Sequence, residues 1–127
     1  KLGLEKRVHF AWRVSNSSLI QHYQLADITV VPSVYEGFGF PAAEGMACGQ
    51  PVVATRAGAL PEVIGNQGSG LLVEPKNATA LAEGIKSVLS NETVRRNMGR
   101  EGRKRVLEKF TWAGTARKML QIYQDNL

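Results

Sequence analysis

Between Val34 and Thr55 the chain reads "VYEGFGFPAAEGMACGQPVVAT", which places two carboxylates, Glu36 and Glu44, with seven residues between them. A carboxylate accepts hydrogen bonds on two oxygens, so a fixed pair suits vicinal hydroxyls or a metal ion. Gly37 and Gly39 have no Cβ, and a ligand can approach their backbone amides closely. A helix opening just after them would add exposed N–H groups and its dipole, which attract phosphate. Phe38 and Phe40 can wall such a corner against water. Acids beside a phosphate are unfavourable unless they bind another part of the same ligand. Sugar hydroxyls are that part, so the segment fits an activated sugar. A divalent-metal site is the weaker reading, because acids are sparse elsewhere and no Asp-x-Asp occurs.

These residues need elements to carry them. "ITVVPS", Ile28 to Ser33, is a short β-branched run that reads as a strand buried on both faces, hence parallel. "FPAAEGMA" follows as a short helix, with Pro41 in its first turn and Gly49 stopping it. "PVVAT" and "GLLVEP" are further buried strands, with the helical turn "LPEVI" between them. Upstream, "RVHFAW", Arg7 to Trp12, is expected to be the first strand, and "SNSSLIQHYQLAD" a helix with several candidate N-caps. Downstream come three helices: Asn77 to Leu89, about Thr93 to Lys109, and Trp112 to Asn126 capped by Thr111. Alternating strands and helices predict an α/β fold: a three-layer Rossmann-like domain with a short parallel sheet and a helical C-terminal tail. All of residues 1–127 read as one domain, with no repeat or linker.

Composition narrows the function classes. The 127 residues are 43% hydrophobic and 21% charged, ordinary for a globular chain, and hold no eighteen-residue apolar run. The chain opens on Lys1 without a signal-like segment, so it is read as a piece of a longer polypeptide, cytoplasmic or peripheral to the inner membrane face. The single Cys48 reads as a small buried filler. The net charge of +5 concentrates in Arg95, Arg96, Arg100, Arg103, Lys104, Arg105 and Lys109. Val94, Met98, Val106, Leu107 and Phe110 recur among them at helical spacing, which describes an amphipathic helix with a solvated basic face. Peripheral contact with a lipid surface is the alternative for that face; few aromatics interleave, which argues against nucleic acid. His9 and His22 have no Ser or Cys partner, against a hydrolytic triad.

"EGFGFPAAE" resembles the Glu, seven residues, Glu signature of retaining glycosyltransferases of the GT-B architecture, in particular family 4. The likeness extends through "RVHFAWRVSNSSLIQHYQLADITVVPS", "EGMACGQPVVATRAGALPEVI", "GLLVEP" and "FTW", in the order that family uses. The resemblance implies a partial C-terminal, donor-binding domain of a hexosyltransferase that uses a nucleoside diphosphate sugar and no metal cofactor. It implies that Glu36 accepts hydroxyls of the donor sugar and that the amides from Gly37 to Phe40 meet the sugar and diphosphate. Glu44 would hold the ribose, and Arg13 and Val14 would line the nucleobase pocket.

The chain departs from that family in its missing parts, at Gly58-Ala59-Leu60-Pro61-Glu62, where the family often has Gly-Gly before Pro-Glu, and at Arg56. The Arg and Lys that normally meet the diphosphate, and the acceptor-binding N-terminal domain, are not in this sequence, so the isolated chain is expected to bind donor without turnover. Arg56 stands where the family has small or acidic residues. In the strand order 3-2-1-4-5-6, the "VHF" and "TVV" strands would not be neighbours, so the chain must pair them directly or expose sheet edges and associate. Outside this family, Gly37-x-Gly39-x-x-Ala42 after a strand also fits a dinucleotide-binding module, although "PVVATR" ends without the acid that would hold a ribose.

Overall fold

The computed structural model describes residues 2–65 and 68–127. In chain order the elements are α1 (Asn16–Leu25), β1 (Thr29–Val31), α2 (Phe40–Ala47), β2 (Val52–Thr55), α3 (Leu60–Ile64), β3 (Leu71–Val73), α4 (Ala78–Leu89), α5 (Glu92–Lys109) and α6 (Trp112–Asp125). The strands form one parallel sheet in the order β1-β2-β3, with Thr29 opposite Val52 and Val53 opposite Leu71.

Side chains alternate across a strand, and here the alternation divides two cores. Val31, Val52 and Ala54 face a cluster with Ala42, Met46, Leu60, Val63 and Ile64 from α2 and α3. Val53 and Val73 face the opposite cluster, with Val88 of α4 and Met98 of α5. Both sheet faces are therefore covered by helices, which is why the strands are continuous apolar runs. The α/β three-layer expectation holds.

Helix starts follow the expected chemistry. Ser15 Oγ accepts from Ser18 N at the head of α1, Asn77 Oδ1 from Ala80 N at α4, and Thr111 Oγ1 from Gly114 N at α6. Asn91 caps α5 in the same way.

Two expectations need correction. Arg7–Trp12 forms no strand; Phe10 and Trp12 are 70% and 90% exposed and stack on each other with centroids 5.8 Å apart. A β-strand is stabilised by its neighbour's hydrogen bonds, and the sheet of the described residues contains only β1, β2 and β3. β1 and β3 consequently each pair on one side only, so the sheet keeps its edges rather than closing through "VHF". In α5, Val94 and Leu107 are exposed; the buried stripe is Met98, Gly99, Gly102 and Val106. Glycine carries no hydrophobic signal, yet a Cβ on Gly102 would lie 2.9 Å from the Ser69 carbonyl oxygen, and one on Gly99 would overlap that of Gly49. These glycines let α5 approach the end of α2.

The basic residues of α5 divide between structure and solvent. Arg103 donates to the Ala47 carbonyl at the end of α2. Arg105 donates through Nε to Val63 O at 2.9 Å and through Nη2 to Glu62 O at 2.6 Å, at the end of α3. Cations at helix C-termini satisfy carbonyls that have no intrahelical donor and offset the dipole. Arg105→Ala is expected to lower stability by roughly 1–3 kcal/mol, because two carbonyls lose a charged donor. Arg105→Lys should recover only part of this, since an ammonium cannot reproduce the guanidinium fork. Urea unfolding of the three proteins measures it; an Arg105→Ala midpoint equal to wild type would remove the capping role.

Candidate functional site

The turn from β1 into α2 is built by glycine. Gly39 precedes α2 with φ +99°, and a Cβ there would lie 2.9 Å from Leu60 Cδ2. No side chain caps α2, and its first closing bond is Ala43 N to Gly39 O at 3.0 Å. The amides of Phe40 and Ala42 therefore have no intrahelical acceptor, while Pro41 has no N–H. This is the amide-rich corner expected between the two acids.

Glu36 is held from three sides. Ser33 Oγ donates to its Oε2 at 3.1 Å, and its backbone carbonyl accepts from Ala59 N at 3.0 Å. Gly58, with φ +52°, lies against that carbonyl so closely that any Cβ would overlap it. At the end of β2 the buried Thr55 donates its hydroxyl to the Ser33 carbonyl. Thr55, Ser33 and Glu36 thus form a chain of contacts from the sheet to the carboxylate.

Glu44 lies in the middle of α2, where Tyr23 of α1 donates its hydroxyl to Oε2 at 2.9 Å. Burial, then the hydrogen bond and negative charge of Glu44, push the Tyr23 phenol well above its ordinary range, so it stays a neutral donor. Glu44 lines a cavity of about 520 Å3 with Leu19, Ile20, Tyr23, Cys48 and Arg103 among its neighbours. Burial raises the Cys48 thiol, with Arg103 opposing and Glu44 adding to the shift; it is a thiol at neutral pH. Glu36 is not among the residues lining this cavity, so the hollow belongs to Glu44 and not to the pair. Each carboxylate keeps its Oε1 without a hydrogen-bond partner among the described residues.

The other expected site residues divide. Gly37 is exposed, with open space where a Cβ would stand. Phe38 turns toward the core, edge-on to Phe110 with centroids 5.6 Å apart, while Phe40 is 64% exposed and 4.9 Å from Phe38. Arg13 and Val14 lie in the exposed segment before Ser15, and neither lines the Glu44 cavity. Arg56 pairs with Glu74 at 3.5 Å across exposed surface. Tyr23, Ser33 and Thr55 were not singled out from sequence. Gly58, in its Gly-Ala-Leu-Pro context, carried a readable turn signal. Among the described residues no three His, Cys, Asp or Glu side chains gather in a way that could hold a metal ion. No helix among them is long and apolar enough to cross a membrane.

Comparison with known proteins bears on this geometry. The family described as "Glycosyl transferases group 1" matches residues 1–105. An MMP alpha-(1->4)-mannosyltransferase of Mycolicibacterium hassiacum is 38% identical over 125 residues, covering 98% of this chain and 30% of its own length. A sucrose-phosphate synthase of Thermosynechococcus elongatus superposes with a TM-score of 0.88 at 40% identity, over 96% of this chain and 31% of that one. The Anabaena protein HepE, solved in complex with UDP and glucose, has a TM-score of 0.86 at 25% identity, over 97% and 33%. The chain therefore spans about a third of the length of these relatives. None of them supports the dinucleotide-binding reading of Gly37-x-Gly39-x-x-Ala42. With the profile, the relatives and the strand-to-helix corner in agreement, the chain belongs to the glycosyl transferases group 1 family and carries the Rossmann-like fold of a GT-B C-terminal domain.

Proposed function

We propose that this chain is the donor-binding domain of a retaining hexosyltransferase, of the family 4 type, that takes a sugar from a nucleoside diphosphate sugar. The carrying observation is the uncapped start of α2 behind left-handed Gly39, with a hydroxyl-anchored carboxylate on either side of it. The HepE structure with UDP and glucose and the mannosyl-transferring relative support the ligand class.

In this reading the amides of Phe40 and Ala42 receive the diphosphate, Glu36 accepts hydroxyls of the sugar, and Glu44 holds the ribose. Arg13 and Val14 border the base. The bond between the anomeric carbon and the diphosphate oxygen breaks, and the electron pair leaves with the nucleoside diphosphate. Positive charge grows on the sugar ring, and the acceptor oxygen adds from the same face while its hydroxyl proton passes to the departing diphosphate oxygen. Helix amides aimed at the departing anion and a carboxylate near the ring stabilise both charges where they develop. The residues supply oxygen acceptors and amides, and the reading assigns no metal. The acceptor is bound by a part of the protein outside this chain, so the chain alone binds donor and does not turn it over. Location at the cytoplasmic face of a membrane, through the exposed basic side of α5, belongs to the same proposal.

Thermal melting with UDP, GDP and ADP, their hexose conjugates, NAD and NADP tests it. One nucleoside diphosphate and its sugar conjugate are expected to raise Tm by about 10 °C near a hundredfold excess over Kd. Stabilisation by NADP alone would overturn the transferase reading.

A further inference from the structure

We propose that Tyr23 is a positioning residue that fixes the Glu44 carboxylate for the ribose diol, an inference that rests on the donor-binding role given to Glu44 above. The two residues come from different helices. α1 buries none of its residues fully and adds little to the core, yet its half-buried Tyr23 reaches across to Glu44 Oε2 at 2.9 Å. A glutamate on a helix has three side-chain torsions, and ordering them on binding opposes affinity. A single donor on Oε2 fixes the carboxylate plane before the ligand arrives and leaves Oε1 to accept. Pre-organisation of this kind raises affinity by lowering the ordering cost.

The chemistry suits a tyrosine. A phenol donates one hydrogen bond and adds no charge, so the carboxylate keeps its full acceptor strength, which a Lys or Arg partner would partly neutralise. The elevated phenol pKa agrees with this, because the donor stays protonated well beyond neutral pH. Leu19 and Ile20, from the same helix, line the same cavity beside the pair.

The test is made in the full-length protein by calorimetric titration with UDP, GDP and ADP, each against its 2′,3′-dideoxy counterpart. Wild type is expected to prefer the ribonucleotide, and Glu44→Gln to abolish most of that preference. Tyr23→Phe, which keeps the ring, should reduce the preference roughly fivefold to tenfold while leaving the dideoxy Kd within about twofold. A purely structural role would weaken both ligands together, so equal losses overturn the inference, as does an unchanged preference. A Glu44→Gln protein that still distinguishes the two ligands, or a wild type that binds none of the six, overturns the donor-site reading as well. Because each comparison is made within one protein, a smaller folded fraction cannot produce the expected result.

Discussion

Gly58→Ala is expected to destabilise the protein by about 3 kcal/mol or more and to weaken binding of the donor's sugar with it. Two independent costs combine at this position. Its φ of +52° lies in the left-handed region, which costs a side-chain-bearing residue about 1–2 kcal/mol. The added Cβ would also overlap the Glu36 carbonyl oxygen, so one of the two loops must move. Movement breaks the bond from Ala59 N to that carbonyl and displaces the loop that carries the carboxylate. Gly37→Ala is the control, since a Cβ there meets open space; its stability should change by no more than about 0.5 kcal/mol. Urea unfolding separates the two variants. Equal midpoints for Gly58→Ala and wild type would mean that the Glu36 loop is not set by this contact.

Glu36→Gln is expected to reduce kcat for sugar transfer in the full-length protein by roughly 10²–10³, with KM changed far less. An amide oxygen can still accept from Ser33 Oγ, so the fold should be kept and Tm should stay close to wild type. What disappears is negative charge beside the sugar as its ring becomes cationic, an interaction strongest in the transition state. Ser33→Ala leaves the charge and removes its anchor, and a smaller loss, about tenfold, is expected. A Glu36→Gln enzyme with kcat within threefold of wild type would place that carboxylate away from the reacting carbon.

Much of this was legible beforehand, for physical reasons that differ by residue. "ITVVPS" and "PVVAT" read as buried strands because both sheet faces are covered, which leaves unbroken β-branched runs. Asn77 and Thr111 read as caps, with Ser15 one of several candidates at its helix, because a cap is a local bond between near neighbours in sequence. Arg7–Trp12 misled because its composition suits a strand while a strand's existence depends on a partner. Gly99 and Gly102 were invisible to hydrophobic periodicity, although they determine how closely α5 packs. At the site, the spacing of Glu36 and Glu44 was plain. Their supports were not: Thr55 to Ser33 joins residues 22 apart, and Tyr23 to Glu44 joins residues 21 apart. Tyr23 looked like one more apolar position on its helix, and only the fold reveals its hydroxyl's partner.

A crystal structure of the full-length protein with its nucleoside diphosphate hexose would show what the corner between Glu36 and Glu44 holds. The diphosphate should sit within hydrogen-bond distance of the Phe40 and Ala42 amides, with sugar hydroxyls on Glu36 and the ribose on Glu44. A bound donor lying elsewhere, with Glu36 contacting only Ser33 and Glu44 only Tyr23, would contradict the account.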